Sequence, residues 1–116
     1  MTEHDRIRLR HMLEAAREAV SYISERERSD MRCDRMLLHS LVHCIMIIGE
    51  AAANVSADCR RQIPAIPWPD IVGMRNRLVH AYFDIDLDLV WNTIEVDIPS
   101  LIAALEGLEG IVPPST

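Results

Sequence analysis

Between residues 68 and 84 the chain concentrates groups suited to phosphate chemistry. The run Arg75-Asn76-Arg77-Leu78-Val79-His80-Ala81-Tyr82 places a fixed cation, an amide, an imidazole and a phenol within eight residues. An arginine can grip a phosphate through two parallel N–H donors and stabilise charge that develops on it. An imidazole, which titrates near neutrality, can take the proton from a ribose 2′-hydroxyl or protonate a leaving oxygen. Asn76, one turn before His80, is placed to orient that ring or to bind substrate, and Arg77 adds a second cation for the substrate. The reaction these groups suggest is RNA cleavage with Arg75, His80 and Asn76 as the catalytic set. It needs no metal, and no cofactor is expected.

The spacing also poses a problem. On a straight helix at about 100° per residue, Ile71, Arg75, Leu78 and Tyr82 lie within roughly 60° of one another, and Asn76 and His80 lie nearer the far side. Arg75 therefore points into an apolar stripe, where a lone cation is costly unless paired. His80 stands about 140° round from it and roughly 7.5 Å further along. The two converge on one substrate if the helix frays before His80, if the arginine stem wraps round, or if a second subunit supplies one of them.

The elements that must hold this segment read as helices. Leu9, Met12, Leu13, Ala16, Val20 and Ile23 recur at three- and four-residue steps, predicting an amphipathic helix over 3–27. His4 and His11 fall on its polar face. A charged turn follows, with Ser29 or Asp30 as the cap of a second helix over 31–56. Leu37, Leu41, Ile45, Ile48, Ala52 and Val55 give that helix one stripe, and Leu38, Val42 and Met46 widen it, so it packs on more than one side. His39 and His43 on it have a spacing that can bind metal, without a third ligand; a polar helix edge or a subunit contact is the competing reading.

Glu50, between Ile48-Gly49 and three alanines, sits where a carboxylate is rarely left unpaired. Arg75 has the complementary need, so Glu50 is expected to pair with it across the two central helices, as an orienting contact or a purely structural one. Gly49 and Gly73 are expected to let these helices approach closely. A short helix over 57–62 and an ordered connection through Pro64, Pro67 and Pro69 lead into the signature helix, with Trp68 as a packing anchor. Asp84 or Asp86 is expected to cap the last helix rather than bind a divalent metal, since the acidic run lacks the glycine and distant glutamate of an EF-hand. Pro99 should kink or split that helix near Val96–Ile98. Tyr82 is either a core residue with a tethered hydroxyl or a functional phenol.

Composition bounds the rest. With 116 residues, 49% of them hydrophobic, and only four glycines, the chain predicts one all-α domain, an antiparallel bundle of four to five helices over 1–110 with a tail over 111–116. The formal charge is −6 and there is no lysine, which opposes broad adhesion to nucleic acid but leaves room for a focused arginine site. Cys33, Cys44 and Cys59 are odd in number and far apart, so neither a zinc knuckle nor a disulfide framework is indicated. No apolar run is expected to reach the ~20 residues of a membrane span, and a cytoplasmic protein without membrane contact is expected.

The run Arg75…His80-Ala81-Tyr82 resembles the Arg-x4-His-x-Tyr signature of the HEPN superfamily. Ile48-Gly49-Glu50-Ala51-Ala52, Ile66-Pro67-Trp68, Gly73-Met74-Arg75-Asn76, Val90-Trp91 and Asp97-Ile98-Pro99 extend the likeness to its HepT branch of small toxins, over roughly residues 5 to 108. The resemblance implies a metal-independent ribonuclease whose Arg75 and His80 lie at a homodimer cleft, with the polar residue after the arginine assisting. It also implies a nucleotidyltransferase antitoxin of the MNT type that adds AMP to Tyr82. Some HEPN-like domains only hold such a partner or a nucleotide, and a non-catalytic scaffold is the alternative.

Overall fold

A computed structural model of the chain describes residues 1–80 and 84–111, the side chain of His80 excepted. In order these form α1 (Glu3–Ile23), α2 (Asp30–Cys33), α3 (Arg35–Ala53), α4 (Ala57–Gln62), α5 (Trp68–His80), α6 (Leu87–Asn92), a π-helical turn (Thr93–Asp97) and α7 (Ile98–Glu106). There is no strand among the described residues, and the all-α bundle read from the sequence is what forms.

α1 starts in a capping box, with the Thr2 hydroxyl accepting from the Asp5 N–H and the Asp5 carboxylate accepting from the Thr2 N–H. Leu9, Met12, Leu13 and Ala16 are buried, and His4 and His11 are exposed, as the periodicity requires. The helix stops at Ile23, short of the expected residue 27, because no apolar anchor follows and Glu25 turns the chain with φ of 60°. The cap of α3 is also not the expected Ser29 or Asp30. Asp34 takes that role, accepting from the Leu37 N–H at 3.1 Å while it pairs with Arg26 at 2.9 Å.

α3 is the central element, packed on α1 and on α5. It has 19 residues, and an 18-residue window within it has a mean hydropathy of 1.6, so by length and composition it could cross a membrane. The expectation that no apolar run approaches that length is therefore corrected. Just over half of the stretch is buried inside the bundle, the burial that a core helix needs.

The last helix runs antiparallel to α1. Arg10 donates to the carbonyls of Ile111 and Gly110 at 3.1 and 3.0 Å, and Arg17 pairs with Glu106 about two turns further along α1. Ile111 is fully buried, so the core extends to that residue; 112–116 lie outside the described residues. Pro99 divides the helix as expected, by a route the sequence did not specify. Its ring lacks an N–H and crowds the carbonyl four residues earlier. The preceding turn widens, with the Ile98 N–H bonding the Thr93 carbonyl in π-helical register.

One polar contact locks the bundle's end. Asp5 is 1% exposed and accepts from the Ser56 N–H and the Ser56 hydroxyl, both at 2.8 Å, while the Ser56 oxygen caps α4. The Ser56 N–H, the Ser56 hydroxyl and Thr2 hold the Asp5 carboxyl below its ordinary 3.8, outweighing burial, which pushes it up. Its contribution to stability is thus complete above about pH 4 and lost as pH falls through the lowered value. Asp5→Ala should lower the unfolding free energy at pH 7 by about 2–3 kcal/mol, because it removes a buried carboxylate that accepts two charge-assisted hydrogen bonds from Ser56. In urea unfolding the gap from the parent chain should narrow at pH 3.

The approach of α3 to α5 rests on Gly49. A methyl group there would overlap Arg75 Cβ and stand 2.8 Å from Arg75 Cγ and 3.3 Å from the Ile71 carbonyl oxygen. Gly73 does not share this role, since nothing stands within 4 Å of where its Cβ would be. Gly49→Ala should cost about 1–3 kcal/mol by overpacking, whereas Gly73→Ala should gain up to about 1 kcal/mol from helix propensity. Denaturant midpoints of the two variants moving in the same direction would contradict this contact.

Candidate functional site

α5 is fixed at its start by packing and by proline. Trp68 is buried and its indole N–H donates to the Ile63 carbonyl at 3.1 Å. Pro69 occupies the first turn, where its missing N–H is no loss, and Asp70 complements the positive end of the helix. Further along, Leu78 is buried and Ile71 and Met74 are half-buried, so the predicted apolar side of the helix faces the bundle.

Arg75 lies on that side, with its stem against Gly49. Its side chain is 26% exposed, and Nη2 stands 3.5 Å from Glu50 Oε2. The expected partnership of Glu50 and Arg75 across α3 and α5 therefore forms. Its character differs from the expectation in one respect: the Glu50 side chain is 66% exposed, so the carboxylate sits at the mouth of the contact and not in an apolar interior. Position 50 lies just far enough round α3 from Gly49 to reach water. The pair is long and solvated, and pairs of this kind contribute at most about 1 kcal/mol. Arg75 Nε is shielded from water and has no hydrogen-bond partner among the described residues. A guanidinium anchored by its stem, touched at one edge by a carboxylate and left with free N–H donors is equipped to receive an anion.

Asn76 and Arg77 are exposed on the other sides of α5. Arg77 borders a largely apolar cavity of about 650 Å³ between α3, α5, the π-helical turn and α7, lined by Ile45, Ile48, Ile71, Met74 and Leu101 among others. Arg75 does not line it. The backbone of His80 ends α5; its side chain and Tyr82 lie outside the described residues. Beyond them Asp86, one of the two expected caps, accepts from the Leu89 N–H at 3.1 Å and starts α6.

His39 and His43 are exposed on α3. Among the described residues no group of three or more His, Cys, Asp or Glu side chains is gathered as a metal site. The thiols are bland: all three are free, and burial, aided by Glu18, pushes Cys44 up to about 11. Arg35, exposed one helical turn before His39, was absent from the sequence-based set. Its four-residue step to His39 and on to His43 puts the three on one face of α3.

The chain matches the family described as Ribonuclease HepT-like over residues 12–108. A protein of Thermococcus cleftensis named "Probable ribonuclease HepT" is 39% identical over 100 residues, covering 83% of this chain and 91% of the relative. A protein of Methanocaldococcus jannaschii with a provisional RNase name is 31% identical over 95 residues, covering 82% of this chain and 87% of the relative. Another from Caldanaerobacter subterraneus, also provisionally named an RNase, is 32% identical over 93 residues, covering 80% and 83%. No solved structure matches the chain. With a family profile that spans most of its length and relatives that align nearly end to end, the chain belongs to the HepT-like ribonucleases of the HEPN superfamily.

Proposed function

We propose that this chain is a metal-independent endoribonuclease, the cytoplasmic toxin half of a two-component module, working as a homodimer. The observation that carries this reading is Arg75, held by Gly49 and Glu50 with unpartnered N–H donors, in a chain of a ribonuclease family. In the reaction the ribose 2′-oxygen attacks the adjacent phosphorus and the bond to the 5′-oxygen breaks, leaving a 2′,3′-cyclic phosphate and a 5′-hydroxyl. Arg75 stabilises the charge on the phosphoryl oxygens. His80 takes the 2′-hydroxyl proton or protonates the 5′-oxygen, and Asn76 orients the ring or the substrate. A twofold arrangement reconciles the angular separation of Arg75 and His80, because each site can draw one group from each copy.

Control of the activity follows from the same segment. A nucleotidyltransferase antitoxin of the MNT type would move AMP from ATP to the Tyr82 hydroxyl, forming a phenol–phosphate ester and releasing pyrophosphate. The added anion, two residues beyond His80, would compete with substrate phosphate by charge and by bulk. The second reading is a non-catalytic scaffold for such a partner, favoured to the extent that the Arg75–Glu50 pair is structural.

Purified protein incubated with RNA and EDTA should give 2′,3′-cyclic phosphate ends. His80→Ala should lose about 10²- to 10⁴-fold in rate and Arg75→Ala about 10²- to 10³-fold, each with an unchanged helical spectrum. Glu50→Ala should cost less than about 1 kcal/mol of stability, since its carboxylate is mostly in water. Parent and His80→Ala cutting equally well would refute the assignment of His80, and a parent that leaves RNA uncut would favour the scaffold. For the control step, incubation with ATP and the partner should add one AMP mass to the parent and none to Tyr82→Phe; an unmodified parent would remove AMP transfer from the account.

A further inference from the structure

α3 carries an outward stripe that the packing leaves open. At about 100° per residue, Arg35, His39, His43, Met46 and Glu50 fall within roughly 80° of one another. Arg35, His39, His43 and Glu50 are exposed, Met46 is half-buried, and Met36, beside Arg35, is 80% exposed. Arg35, His39 and His43 take part in no side-chain hydrogen bond or ion pair among the described residues, whereas many of the arginines of α1 and of the turn after it are paired. Of the acids at its two ends, Asp34 is held by Arg26 and the Leu37 N–H, and Glu50 is in a long, largely solvated contact with Arg75. On a chain of net charge −6, Arg35, His39 and His43 are three free donors in a line that ends at the Glu50–Arg75 pair.

We propose that this stripe is the track of the RNA strand beside the scissile phosphate. Arg35, His39 and His43 would hold successive phosphates leading away from Arg75, each step rising about 6 Å along the helix. Met36 would give the last base an apolar surface. Such a track selects an extended single strand, since its contacts are to backbone phosphates along one line and not to a paired groove. The track would therefore span several nucleotides and read them without strong sequence preference. This inference rests on the nuclease reading, but its test does not depend on turnover.

The test uses fluorescent oligouridylates of two, four, eight and twelve nucleotides, bound to full-length protein carrying His80→Ala so that no strand is cut. Affinity should rise from the dimer to the octamer and then level off. In Arg35→Ala, His39→Ala or His43→Ala, octamer affinity should fall about 3- to 10-fold, as loss of one solvent-exposed phosphate contact implies. The triple variant should lose the dependence on length, while His4→Ala/His11→Ala on the far polar face should keep it. In the Arg35→Ala form the salt dependence should flatten by about 0.7 in log–log slope. A length dependence retained in the triple variant would overturn the track, as would no binding at any length. A change of sedimenting species in the triple variant would also overturn it, assigning the stripe to a contact between copies. Whether the parent cleaves RNA is decided separately by its product ends.

Discussion

The candidate site depends on the absence of one side chain. Gly49 brings the backbone of α3 against the stem of Arg75, and any larger residue there would have to displace it. A long, flexible arginine is a poor catalytic group if it must be ordered each time substrate arrives. Here the ordering is done in advance, by packing of the stem and by one solvated contact to Glu50. The electrostatic part of the pair is small, because the carboxylate is mostly in water; steric confinement does most of the positioning.

Around that contact the rest of the bundle serves to hold α3 and α5 in register. α1 and α7 clamp the other side of α3's surroundings through antiparallel packing, with Arg10 gripping the carbonyls of Gly110 and Ile111. Asp5 and Ser56 tie the start of α1 to the chain just after α3, and Trp68 fixes the start of α5. The π-helical turn lets an otherwise continuous apolar helix absorb Pro99 without leaving the core.

Much of this was legible from residue types and periodicity. Arg75 is a cation at an apolar phase of its helix and Glu50 an acid among apolar sequence neighbours, and their pairing followed from those two needs. The split at Pro99 and the Trp68 indole bond were legible for similar reasons, since each has a single local cause. Asp5 was not: an acid in a first helical turn reads as a solvated cap, and its partner stands 51 residues away. Gly73 was misread because a glycine in a helix states permission for close approach without saying whether a neighbour uses it. The exposure of Glu50 was hidden because neighbouring alanines mimic a buried setting, although the helix phase of position 50 carries it out to water.

The central claim is that Arg75 and His80 act on one phosphate, with a second copy closing the gap between their directions on α5. The most direct measurement mixes two inactive chains, Arg75→Ala and His80→Ala, refolds or exchanges them to form mixed dimers, and assays RNA cleavage. If each site takes its guanidinium and its imidazole from different copies, the mixture should recover up to about a quarter of parental activity, because half the dimers are mixed and each has one intact site. An active parent whose mixed dimers form yet stay inactive would contradict the account.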